Sequence, residues 1–137
     1  MVNDMLNEDR KELCVFRLEK SQESIESAEK LFEMKDYSAV VNMSYYSMFY
    51  AIRAIMALDG KDEKEHSEVI TYFTDHYVNP EMFATQYSYI AKKAFSMFVE
   101  SECEDFFVVS RAEATEQIEN AKYFLDEVKK YVDLRVE

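Results

Sequence analysis

A single glycine and a single proline among 137 residues leave almost none of the turn residues that an all-β fold needs at its hairpins. The same scarcity excludes a Gly-rich phosphate loop. Cysteine occurs only at positions 14 and 103. Two cysteines so far apart make no disulfide framework and match no zinc spacing, and unpatterned cysteines suit a reducing compartment. Basic charge is also short: 16 Lys and Arg stand against 28 Asp and Glu, a net charge of −12. That balance repels phosphate backbones and anionic headgroups, so RNA and membranes are disfavoured as partners. The polar, acidic N-terminal stretch MVNDMLNEDRKE predicts no signal peptide and a cytoplasmic location.

What is present points to helices. Hydrophobic residues make up 48% of the chain and aromatic residues 15%, which excludes a disordered polymer. The composition is that of an all-α protein, and the length suits one domain over residues 1–137 with its core between about 8 and 132. Cys14, Leu18, Ile25, Ala28, Leu31 and Phe32 recur at helical spacing and predict a first helix over 8–34. Asp36 is placed to cap a second helix, closed by Asp59-Gly60. Val69, Ile70, Phe73 and Tyr77 predict a third helix near 64–77. Asn79-Pro80 reads as the start of a fourth, running to about 99. Ser110 and Glu113 form a capping box for a last helix with the stripe Ala114, Ile118, Ala121, Leu125, Val128 and Val132.

The second helix has no charged solvent face. Residues 37–58 carry Arg53 as their one charge, and a helix apolar all round must be covered all round. Either it sits centrally in its own chain or a second subunit covers it; we expect a homodimer, with tyrosines at the seam. A bilayer span is excluded by Asn42, three serines, four tyrosines and Arg53 in the same 22 residues.

Arg53 shares its face with Asn42, Tyr46 and Phe49, so its guanidinium must reach a carboxylate, a carbonyl, water or a ligand anion. His66, within KDEKEHSEVI, can be plain surface, a proton-transfer group or a phosphate contact. Lys92-Lys93 is the basic feature of YSYIAKKAFSMF, either a solvated patch or a further anion contact. Asn42, Tyr46, Arg53, His66 and Lys92 are therefore the candidate ligand-binding residues, with Arg53 and His66 the candidates for catalysis. Glu63 and His66 make a single E-x-x-H, whereas a di-iron bundle needs two such pairs and two further glutamates; no metal or other cofactor is expected. Serine and cysteine nucleophile signatures are missing as well.

Taken together, AVVNMSYYSMFYAIRA (39–54) followed by a glycine and then His66 in a charged turn resembles the signature helix of the HEPN superfamily (higher eukaryotes and prokaryotes nucleotide-binding), in its small stand-alone prokaryotic branch. EDFFVVSRAEATEQIENAKYFL (104–125) is similar to the run that closes such domains. The resemblance implies an antiparallel up-and-down bundle of about five helices, commonly a homodimer. It also implies a nucleotidyltransferase partner in a toxin–antitoxin or defence pair, and a possible nucleotide ligand. Several HEPN proteins cut RNA without a metal through R-x(4–6)-H, where arginine holds the phosphate and histidine moves the proton.

This chain departs from that motif. Neither His66 nor His76 has an arginine four to seven residues before it, and Arg53 lies thirteen residues ahead of His66. The arginine and tyrosine of the R-x-x-x-D-Y stretch usual in this branch are replaced at Phe98 through Glu102-Cys103, within the acidic run 100–110 of net charge −4. The first expectation is a binding and interaction module. The alternatives are a metal-independent endoribonuclease toxin using Arg53 and His66 at a dimer interface, and a purely structural dimer.

Overall fold

A computed structural model describes residues 2–136, with side chains from residue 8 onward. Its five α-helices are α1 (Val2–Glu33), α2 (Tyr37–Leu58), α3 (His66–Phe73), α4 (Thr85–Cys103) and α5 (Arg111–Val136); a π-helical turn, Thr74–Val78, extends α3. Among the described residues there is no strand, and the protein is an all-α bundle.

Both ends of α2 are closed by the chemistry of their residues. Lys35 takes φ +61°; its N–H donates to the Phe32 carbonyl and that of Asp36 to the Leu31 carbonyl, each at 3.0 Å. This is a Schellman ending for α1. Asp36 then turns to the next helix and accepts from the Ala39 N–H at 3.3 Å. At the far end Gly60, φ +69°, repeats the pattern, with its N–H on Ala57 and that of Lys61 on Met56, each at 3.0 Å. Ser110 and Glu113 form the expected reciprocal box, both bonds 3.0 Å.

α2 is the axis of the bundle. Tyr45, Met48, Ile52, Ile55 and the alanines at 51 and 54 are wholly buried, and α1, α3, α4 and α5 all pack on it. Covering this helix therefore takes no second chain. Small residues let α1 approach closely, so that Ser21 Oγ donates to the Ser47 carbonyl at 2.7 Å. The whole stripe of α5, from Ala114 to Val132, is buried as expected.

Three boundaries differ from expectation. α1 begins at Val2 rather than near 8, and α4 runs to Cys103 rather than 99, so two acidic stretches are helical after all. Asn79-Pro80 does not start α4, which begins at Thr85. The Asn79 N–H instead donates to the Thr74 carbonyl at 2.8 Å, ending the π turn, and Glu81 enters the left-handed region at φ +68°. The π turn places Tyr77 so that its hydroxyl donates to the Asp59 carboxylate and lies 3.4 Å from the Ile55 carbonyl oxygen, tying it to the end of α2. No described helix is long and apolar enough to cross a membrane.

Candidate functional site

One face of α2 carries Asn42, Tyr46, Phe49 and Arg53, about one turn apart, and α3 brings its first residue, His66, against it. The imidazole stacks on Phe49, with centroids 4.3 Å apart and planes 16° apart, and lies parallel to Phe98 of α4 at 5.3 Å. Tyr46 meets it edge-on at 5.9 Å. Beneath, the Tyr45 hydroxyl lies 2.6 Å from His66 Nδ1. Burial, and then the positive charge of Arg53, hold the His66 pKa below its ordinary value.

Arg53 rests over the same Phe49 ring, its guanidinium carbon 5.6 Å from the centroid. Its Nη2 donates to Asp62 Oδ1 at 2.8 Å, while its buried Nε finds no partner among the described residues. Asp62 also accepts from Arg17 Nη2 at 3.2 Å, and Arg17 Nη1 donates to the Arg53 carbonyl at 3.0 Å. One carboxylate thus joins two guanidiniums from α1 and α2, leaving a surplus of one positive charge. Burial and the neighbouring Arg53 lower the Arg17 pKa, and the hydrogen bond from Arg53 foremost lowers that of Asp62.

The structure brings Arg53, His66 and Tyr46 together around Phe49. Asn42 stands further along, where its Oδ1 accepts from Ser101 Oγ of α4 at 3.0 Å. Lys92 lies elsewhere: it lines a groove of about 880 Å³ with Ser96, Phe106 and Phe107, which shares no residue with the 430 Å³ pocket that Lys64, Glu65, His66, Ser67 and Phe95 line. Among the described residues no group of three or more His, Cys, Asp or Glu is placed to hold a metal ion.

Sequence reasoning passed over Arg17, Tyr45 and Asp62. Arg17 had a signal, since it is a charge set among the apolar positions Cys14, Leu18 and Ile25 of α1. Tyr45 belongs to the second helix, whose tyrosines the sequence assigns to a dimer seam and not to a site. Nothing marks Asp62 among the carboxylates of KDEKE. Chemically, the assembled cluster offers a partly neutralised cation beside an imidazole whose Nδ1 is already engaged by the Tyr45 hydroxyl.

The chain resembles proteins of known naming over most of its length. It is 27% identical over 116 residues to "Putative toxin MJ0142" of Methanocaldococcus jannaschii, covering 84% of this chain and 78% of that one. It is 28% identical over 128 residues to "Putative toxin MJ0605" of the same organism, covering 92% and 93%. A "UPF0332 protein" of Archaeoglobus fulgidus is 26% identical over 117 residues, or 85% and 93% of the two chains. The HEPN domain profile matches residues 14–131, from the buried Cys14 of α1 to Tyr131 near the end of α5; the chain belongs to the HEPN family.

Proposed function

We propose that this chain is a cytoplasmic HEPN interaction module. It works as a homodimer beside a nucleotidyltransferase in a toxin–antitoxin or defence-type pair, binds its partner or a nucleotide, and does not cut RNA. One observation carries the reading: Arg53 Nη2 is engaged by Asp62 at 2.8 Å, so the cation that cleavage would need at the phosphorane is already partly neutralised. Arg53 and His66 also stand on different helices, whereas adjacent turns of one helix would fix their geometry locally; a misplacement of about 1 Å costs on the order of 100-fold in rate. Names of the relatives as toxins are compatible with membership of such a pair without requiring cleavage by this chain. Half-buried tyrosines at 46 and 50, lining a groove with Lys20 and Met43, are suited to the dimer seam.

A second reading keeps a specific observation in its favour: Arg53 and His66 both rest on the Phe49 ring, at 5.6 and 4.3 Å. Two such clusters in a dimer could assemble a metal-independent endoribonuclease. Purified protein incubated in EDTA with a structured RNA and with tRNA, beside a His66→Ala variant, separates the readings. We expect no cleavage above background. Cleavage by the wild type that disappears in the variant overturns the first reading.

A further inference from the structure

We infer that Tyr45 is a positioning residue whose hydroxyl fixes His66 as the Nε2–H tautomer, so that the ring offers the neighbouring pocket a hydrogen-bond donor and no base. This inference rests on the reading that His66 belongs to the functional site, and deepens it.

Tyr45 is wholly buried, and its hydroxyl has one partner among the described residues, His66 Nδ1 at 2.6 Å. A buried O–H must donate somewhere, and burial keeps this phenol protonated by pushing its pKa up. The acceptor can only be the Nδ1 lone pair, which a neutral imidazole exposes when its proton sits on Nε2. Ring rotation offers no escape. A half-turn would put a carbon where Nδ1 now meets the hydroxyl, and the Phe49 and Phe98 stacks, at 4.3 and 5.3 Å, hold the plane.

The cationic ring is disfavoured by the same surroundings. It would donate from Nδ1 to the phenol oxygen and leave the phenol proton of a wholly buried side chain with no acceptor among the described residues. The remaining nitrogen, Nε2, has no protein partner among the described residues. Its N–H suits an acceptor oxygen on whatever enters the pocket bounded by Lys64, Ser67 and Phe95, a phosphoryl, carboxylate or carbonyl group. To accept a proton at Nε2 instead, His66 would have to move its own proton to Nδ1 and Tyr45 would have to turn from donor to acceptor.

Two-bond proton–nitrogen NMR on histidine-labelled protein at mildly alkaline pH reads the tautomer directly, with His76 as an internal comparison and His66→Ala for assignment. The wild type should show His66 Nε2 protonated and Nδ1 unprotonated, as a single species. Tyr45→Phe, which keeps the aromatic ring, should shift both nitrogens towards the averaged values of a mixed population. The wild-type spectrum alone decides the tautomer, whether or not the variant folds. An Nδ1–H species or a mixture in the wild type overturns the inference, as does a Tyr45→Phe spectrum identical to wild type. Neither result depends on RNA cleavage, so the inference can fail while the proposed function stands.

Discussion

Replacing Asp62 by asparagine keeps its shape and removes its charge, leaving two guanidiniums facing one neutral amide. Removing one partner from a fully buried ion pair costs about 3–5 kcal/mol, whereas an exposed pair contributes about 0.2–1. Here the Arg17 and Arg53 side chains are 9% and 16% exposed and the carboxylate 52%. The cluster lies between those limits, so discounting for the wet carboxylate gives about 1–2.5 kcal/mol, or roughly 3–8 °C in Tm. Urea unfolding at neutral pH and low salt should show a lower midpoint with an unchanged slope. In an Arg53→Met background the same substitution should cost less, because one of the two repelling charges is gone. The pH dependence has a definite sign. The Asp62 carboxyl, held by Arg53 first and Arg17 second, sits below its ordinary 3.8 in the folded state. Its contribution is therefore complete above the unfolded value and lost as pH falls through the lower folded value. The gap between wild type and Asp62→Asn should be constant from neutrality to about pH 5 and close below about 3.8. A variant within about 0.5 kcal/mol of wild type at pH 7, with a gap indifferent to pH, would refute the reasoning.

Sedimentation at micromolar concentration should give twice the 16.2 kDa chain mass; a single species at the chain mass removes the homodimer from the proposed function. Phe49→Ala deletes a ring that is 5% exposed and carries both Arg53 and His66, and should cost about 3–5 kcal/mol in urea unfolding; a loss below about 0.5 kcal/mol would mean the ring is not core.

The fold was legible wherever one residue type has one structural use. Gly60 closes α2 in the left-handed region, and Ser110 with Glu113 opens α5, because few other residues perform those tasks. Asn79-Pro80 misled because the same pair suits the end of one helix as well as the start of another. Which it does depends on the Thr74 carbonyl, reached only through a π turn that has no local signature. The site was legible in halves. Arg53 stood out as the one charge in an apolar helix, and His66 as a histidine after its glycine. Asp62, which joins Arg53 to Arg17, is one of several interchangeable carboxylates until the loop is folded, and the Tyr45 hydroxyl is silent until something is opposite it.

The π turn at Thr74–Val78 has a consequence for how this domain can change length. It holds one residue more than a turn of α-helix needs, and removing that residue would give a more regular helix locally. An insertion or deletion in the regular turns of α3, which nothing absorbs, would instead rotate everything downstream by about 100° per residue. Tyr77 would swing away from Asp59, and Phe83 from Tyr131, now 5.2 Å apart between centroids. A one-residue change in length is thus accommodated inside the π turn, whereas the same change within α3 would pull Tyr77 and Phe83 out of the core.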